Sequence, residues 1–234
     1  MTIKKHIPNL LTLLNLFSGC VAVVLTANHN FLVAFWMVSL GIFFDFFDGF
    51  FARLFKVAGP LGLQLDSLAD MVTSGVVPGF VMFQLLSATG VNPYVPYLGF
   101  IITVGSCYRL ANFNIDTRQT SSFIGLPTPA NTLFIMSLPL VLSSSDSILV
   151  LEVLTNPFVL LAITFFSAFV MNTEMPLFSL KIKSFQIKDN LLQFGFLASS
   201  LVLLALLHYI GIPLVILLYI SLSMIANKFK SAKE

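Results

Sequence analysis

Residues 31–55 read FLVAFWMVSLGIFFDFFDGFFARLF, an apolar run with no charge before Asp45. About 20 such residues in a helix cross the hydrocarbon core of a bilayer, and a helix that is apolar all round belongs in a membrane or a very large core. The rest of the chain supports the first alternative. Of its 234 residues, 57% are hydrophobic and 9% charged, with 25 Phe and a mean hydropathy of +0.96. A soluble domain has roughly 25% charged residues, and disorder requires low hydrophobicity with high net charge. Both classes are excluded, leaving an all-α polytopic membrane helix bundle. A formal net charge of +2 gives no basis for a nucleic-acid partner. Lys4 and Lys5 precede a long apolar run with no small-residue cleavage site behind it, so no cleavable signal peptide is expected. Cys20 and Cys107 lie inside apolar runs, where buried thiols are expected rather than a disulfide or a metal site.

Eight runs meet or approach the spanning length: Pro8–Ala27, Phe31–Phe55, Leu63–Thr89, Tyr94–Ala111, Pro127–Leu142, Leu149–Met171, Asn190–Leu207 and Ile212–Ala226. Turn chemistry separates them, including Asn28-His29-Asn30, Gly59-Pro60 and Gly90-Val91-Asn92-Pro93. About eight transmembrane helices are therefore predicted. The positive-inside rule tests that count. With a cytoplasmic amino terminus, all twelve basic residues fall in segments 1–7, 54–62, 112–126, 172–189 and 227–234 or at the adjoining helix ends, and none in the four outer connections. A miscounted span would scatter them, so both termini are predicted to be cytoplasmic.

Four acidic residues, Asp45, Asp48, Asp66 and Asp70, sit at the inner ends of the second and third runs. A carboxylate near membrane depth costs at least ~2.5 kcal/mol and marks an ion or substrate site. At ~100° per residue, Asp45, Asp48, Gly49 and Ala52 share one face of the second helix, and Gly62, Asp66 and Asp70 form a stripe on the third. The short connection makes these helices antiparallel neighbours, so the four carboxylates are expected to converge in one cavity. Like charges so close need cations among them. Oxygen ligands without His or Cys select a hard ion such as Mg²⁺, Mn²⁺ or Ca²⁺. Gly49, Ala52 and Gly62 remove bulk beside the acids, which suits close helix packing or the approach of a bulky ligand. Arg53 and Lys56 add positive charge at the mouth.

Written out, D45-F-F-D48-G49-F-F-A52-R53, eight residues, then G62-L-Q-L-D66-S-L-A-D70 resembles the complete motif of the CDP-alcohol phosphatidyltransferase family, D-x2-D-G-x2-A-R-x8-G-x3-D-x3-D. The resemblance implies that a CDP-linked lipid gives its phosphatidyl group to an alcohol while CMP leaves. It also implies two divalent ions, Mg²⁺ or Mn²⁺, held by Asp45, Asp48, Asp66 and Asp70 on the diphosphate, following the two-metal logic of phosphoryl chemistry. In that reading Asp70 is also the general base for the acceptor hydroxyl. Gly49, Ala52, Arg53 and Gly62 would adjoin the nucleotide, joined by Asn9 and Thr12 at the inner end of the first helix.

Two later stretches, R109-L-A-N-F-N114 and F123-I-G-L-P-T-P-A130, resemble the R-L-A-R-F-N and F-x-G-L-P-x-P-A loops of the membrane-embedded phosphatidylserine synthase branch, as does the segment Met171–Lys183. This implies CDP-diacylglycerol and L-serine as substrates, a homodimer, and an active site on the cytoplasmic side of a bacterial inner or cell membrane. Asn112 departs from the branch, standing where an arginine is more usual. Weight for acceptor binding shifts to Arg109 and Arg118, with Asn112 beside them. Arg109 suits a zwitterionic acceptor because guanidinium forks onto carboxylate. The expected layout is one catalytic domain over 1–234, with catalytic helices about 31–89, an acceptor-side loop about 109–130 and extra carboxy-terminal helices about 190–227.

Two other readings compete. A sister transferase could use glycerol 3-phosphate, inositol phosphate or choline; a phosphorylated acceptor would need more cations near the motif than Arg109 and Arg118. A divalent-cation transporter would place its acids near the midplane at broken helices, whereas these cluster at the inner ends, with no matching acidic segment later in the chain. No histidine begins an H-x-K pattern, so the phospholipase D-like route to the same product is not indicated.

Overall fold

The computed structural model describes residues 2–116, 124–178 and 190–231. The described chain is helical, with no β-strand and a single isolated bridge between Ile124 and Pro176. Helix α1 (Thr2–Ala27) packs along α2 (Phe31–Leu54) as an antiparallel hairpin. Its turn places His29 at φ 58°, and Asn30 caps α2 by accepting the Val33 amide. Helix α3 (Pro60–Asp70) then begins with Pro60 in its first turn, where the missing N–H has no partner to lose.

Between α3 and α4 (Val77–Ala88) the helix does not stop but widens into a π-helical stretch, Met71–Val76, in which the Val77 amide reaches back five residues to Val72. Pro78 explains the widening. A helical proline offers no amide to the carbonyl four residues earlier and clashes with it, and that residue is Ser74. The freed Ser74 carbonyl accepts the hydroxyls of Ser106 (3.2 Å) and Thr132 (3.1 Å). The neighbouring Gly75 carbonyl accepts Thr103 Oγ1 at 2.9 Å. In a bilayer such substitution by neighbouring helices is what allows a distorted helix to persist.

A short 3₁₀ turn (Val95–Phe100) leads into α5 (Ile101–Ile115), and α6 (Thr128–Ser144) follows. The sixth apolar run, expected as one span, is instead two helices, α7 (Ile148–Thr155) and α8 (Pro157–Asn172), bent by 69°. The break falls at Asn156-Pro157: a residue before proline is pushed out of the helical region, and the Asn156 side chain caps α8 through the Phe158 amide at 2.9 Å. The last two runs form α9 (Leu191–Leu207) and α10 (Gly211–Ser231), which fold back on each other at His208, φ 48° and ψ −120°.

His6–Ala27, Phe31–Leu54, Pro60–Ala88 and the stretch Leu191–Lys228 are long and apolar enough to cross a membrane, and the bent α7–α8 pair adds a fifth candidate. The distribution of side chains is that of a bilayer protein. Phe17, Phe46, Leu68, Phe169 and Leu206 are exposed on helix surfaces, while Asn15, Thr73, Ser74, Asn131 and Thr132 are wholly buried. Apolar surface faces lipid at no cost, and polar side chains are kept for contacts between helices. The chain is an all-α polytopic membrane protein. Cys20 and Cys107, expected as buried thiols, are free and lie on exposed faces of α1 and α5, because lipid accepts a thiol as readily as a core does.

The α9–α10 hairpin depends on Gly211, where a Cβ would lie 2.6 Å from the Leu203 carbonyl oxygen. Gly211→Val should destabilise the protein by about 1–3 kcal/mol. A fall of several degrees in the melting temperature in detergent is expected; an unchanged value would mean that the hairpin is not packed this tightly.

Candidate active site

The acidic end of the bundle is assembled by α1, α2 and α3. The i, i+3 spacing on α2 and the i+4 steps on α3 turn their acids toward each other, and carboxylate oxygens of Asp45, Asp48 and Asp66 lie within 4.8 Å of one another. Helix α1 covers the cluster and supplies two donors one turn apart. Thr12 Oγ1 donates to Asp48 Oδ2 at 2.5 Å, and Asn15 Nδ2 donates to Asp70 Oδ1 at 3.0 Å. Asp66 Oδ1 is buried without a hydrogen-bond partner. An orphaned carboxylate oxygen beside two other carboxylates, in an all-oxygen donor set, fits a hard divalent cation. Asp45, Asp48 and Asp66 are the residues that could hold it.

The four carboxylates do not share one cavity, as the sequence had suggested, but stand between two. The first, about 190 Å³, lies between α1, α2 and the start of α3 and is lined by Asn9, Thr12, Asp48, Gly49, Ala52, Arg53, Gly62 and Asp66. All the residues expected around the nucleotide thus face one space. A Cβ on Gly62 would come within 3.5 Å of Asn9 Oδ1, so any side chain there would narrow it. The second cavity, about 210 Å³, lies on the other side of the acids. Asp45, Asp66 and Asp70 face it together with Ser67, Arg109, Asn114 and Thr128. Asp66 lines both. The division follows from helix geometry: residues three or four apart lie slightly rotated from each other, so successive acids on α2 and α3 turn progressively from one cavity to the other.

Arg109 is brought here by a crossing of loops. Its Nη1 donates to the carbonyls of Ile124 (2.7 Å) and Met171 (2.9 Å), joining α5 to the segment before α6 and to the last turn of α8. The same segments are tied by backbone bonds from Gly125 to Met175 (2.8 Å) and Leu126 to Val170 (3.1 Å). Gly125 has φ +72°, and a Cβ there would stand 2.5 Å from Met171 O and 3.0 Å from Arg109 Nη1. That accounts for glycine in the F-I-G-L-P stretch.

Asn112 is exposed on α5, and Asn114 lines the second cavity, with its Nδ2 donating to Ser67 Oγ at 2.8 Å. Arg118 lies outside the described residues, as does the end of the Met171–Lys183 segment. Sequence reasoning missed Asn15, Ser67 and Thr128. Asn15 was findable: it continues the three-residue step from Asn9 through Thr12, and it is an amide inside Leu13-Leu14-Asn15-Leu16-Phe17.

A family model described as CDP-alcohol phosphatidyltransferase matches residues 5–176. Over 129 residues the chain is 34% identical to a CDP-diacylglycerol–serine O-phosphatidyltransferase of Bacillus subtilis, covering 53% of this chain and 70% of the relative. It is 31% identical over 131 residues to a Helicobacter pylori protein of the same name, covering 55% of each. It is 32% identical over 135 residues to an archaetidylserine synthase of Methanothermobacter thermautotrophicus, covering 56% of each. The match thus spans little more than half the length of the last two.

The carbonyl cradle of Arg109 is testable through Gly125. Gly125→Ala combines a left-handed backbone with a clash against Met171, and should cost about 1–3 kcal/mol, read as a lower melting temperature. A melting temperature equal to that of the unaltered protein would show that the loop crossing does not hold this shape.

Proposed function

This chain belongs to the CDP-alcohol phosphatidyltransferase family, and from that membership we propose that it transfers the phosphatidyl group of CDP-diacylglycerol to the hydroxyl of L-serine, giving phosphatidylserine and CMP. The observation that carries this reading is the pair of cavities meeting at Asp66: a small-residue cleft on one side and a cavity holding a carboxylate and a guanidinium on the other. A two-substrate transfer needs two such spaces with the reacting phosphorus between them. Serine appears in the names of all three relatives, whereas the lipid differs, so the acceptor is the better supported half of the reaction.

In the first cavity Gly49, Ala52 and Gly62 leave room for the cytidine, Asn9 and Thr12 offer polar contacts, and Arg53 meets phosphate charge. Asp45, Asp48 and Asp66 would hold divalent metal, Mg²⁺ or Mn²⁺, with Asp70 completing a site for two ions. Such ions would supply positive charge to neutralise the diphosphate and the charge developing on the attacking and leaving oxygens. Asp70 faces the second cavity and takes the proton of the serine hydroxyl as its oxygen bonds to the phosphatidyl phosphorus and the phosphorus–oxygen bond to CMP breaks. Arg109 forks onto the serine carboxylate: a guanidinium has five N–H groups, more than the Ile124 and Met171 carbonyls take up. Asn114 and Ser67 stand beside it. The acidic end faces the cytoplasm, a placement supported by the basic residues concentrated at that end in the sequence.

The deciding experiment gives purified protein CDP-diacylglycerol, Mg²⁺ or Mn²⁺, and a panel of serine, glycerol 3-phosphate, inositol phosphate and choline, and follows CMP release. Serine-dependent release abolished by EDTA is expected; release with another alcohol alone would overturn serine as acceptor. Asp70→Asn should lower turnover by about 10²–10⁴-fold while CDP still binds. Turnover at the unaltered rate would remove Asp70 as the base.

A further inference from the structure

The environment of Asp70 contains a residue that the chemistry above does not use. Asn15 is fully buried in the middle of α1, and its Nδ2 donates to Asp70 Oδ1 at 3.0 Å. Its backbone carbonyl accepts Thr73 Oγ1 at 3.1 Å, three residues beyond Asp70 in the π-helical stretch. Two glycines make this approach possible. A Cβ on Gly41 of α2 would lie 2.8 Å from Asn15 Oδ1, and one on Gly19 of α1 would lie 2.3 Å from Thr73 Oγ1. The amide is therefore enclosed by α2 on one side and the π-helical turn on the other.

We propose that Asn15 is a positioning residue for Asp70, fixing its carboxylate so that Oδ1 is held by α1 and Oδ2 is left to face the second cavity; this rests on the reading of Asp70 as the base. The geometry allows one orientation of the amide. Turning it over would set Asn15 Oδ1 against Asp70 Oδ1, two acceptors with no proton between them, in an interior where such a mismatch is costly. The absence of a side chain at Gly41 lets α2 close over the amide, which is wholly buried. A neutral amide also orients the carboxylate without pairing with its charge, as a lysine or arginine in the same place would. Thr12 makes a parallel contact to Asp48 from the turn before. Of these two contacts, only that of Asn15 reaches a carboxylate that lines the second cavity and not the nucleotide cleft, a placement Asp70 shares with Asp45.

A structural tether and a positioning tether predict different kinetics. Asn15→Leu keeps the branched outline of the side chain, at a larger volume, and removes the donor. A misplacement near 1 Å at a reacting group costs about 10²-fold, so kcat should fall about 10- to 100-fold, with KM for CDP-diacylglycerol and affinity for CDP within about 2-fold of the unaltered protein. In an Asp70→Asn background the same change should cause no further loss, since both act through one group. If Asn15→Leu does not fold, Gly41→Ala displaces the amide without deleting it and should give the same kcat-selective loss. A second readout needs no turnover: carbodiimide labelling followed by mass spectrometry should show Asp70 modified several-fold faster in Asn15→Leu, with Asp48 unchanged. Unchanged kcat and labelling, or losses of kcat and CDP affinity in parallel, would overturn the proposal. Should the unaltered protein transfer to no alcohol, the activity reading fails, and the labelling ratio still decides whether Asn15 holds Asp70.

Discussion

A carboxylate held at membrane depth must be satisfied by something other than bulk water, and the acidic end of this bundle is organised by that requirement. Four aspartates from two adjacent helices meet there, and protein donors reach only some of their oxygens: Thr12 serves Asp48, and Asn15 serves Asp70. Asp66 keeps a buried oxygen with no donor at all. Burying an unpaired charge costs several kcal/mol per ion even after relaxation. A fold that concentrates acids and withholds donors is relieved by protonation or by a bound cation, and Asp45, Asp48 and Asp66 are placed to hold one. The small residues on α2 and α3 belong to the same requirement. They line the adjoining cleft and keep it open.

The two cavities give the acids a direction. Asp48 faces the cleft between α1 and α2, Asp45 and Asp70 face the space beneath Arg109, and Asp66 faces both. A diphosphate spanning the first and an alcohol entering the second would approach the same carboxylates from opposite sides, the arrangement an in-line displacement requires. The two cavities keep their relation through the register between α2 and α3. It is set by the eight residues between Arg53 and Gly62, by the turn in which Lys56 adopts φ 55°, and by Pro60 at the head of α3.

Much of this was legible in the sequence because the chemistry demands rare residues in apolar surroundings. Aspartates at three- and four-residue steps inside phenylalanine-rich helices have few structural explanations, and their helical phase could be computed without coordinates. Gly49, Ala52 and Gly62 were visible by the same helical phase, whereas Asn9 and Thr12 came from the family resemblance. What escaped notice depends on contacts between distant segments. The carbonyls that hold Arg109 come from Ile124 and Met171, and nothing local in either residue announces that a backbone oxygen will be needed. Hydropathy alone read Leu149–Met171 as one span, since Asn156-Pro157 changes the apolar average little while forcing a bend. The two cysteines were expected to be buried on soluble-protein reasoning, which fails where the surroundings are as apolar as the core.

The π-helical turn after Asp70 shows how one imino acid can shape a site eight residues away. Pro78 withdraws the amide that would have bonded Ser74, the ladder slips to a five-residue reach at Val77, and the carbonyls of Ser74 and Gly75 turn to hydroxyls on α5 and α6. Those bonds fasten α3 and α4 to the helices that carry Arg109 and Thr128. The wider turn also places Thr73 against α1, where it holds the backbone of Asn15. A regular helix would keep its carbonyls to itself and rotate everything beyond Asp70 relative to the acids before it. The irregularity therefore joins the acid-bearing half of the bundle to the half that bears the guanidinium. π-Helical bulges occur often at functional sites, and here the reason is specific: freed carbonyls are the means by which helices without exposed polar surface can be locked together in lipid.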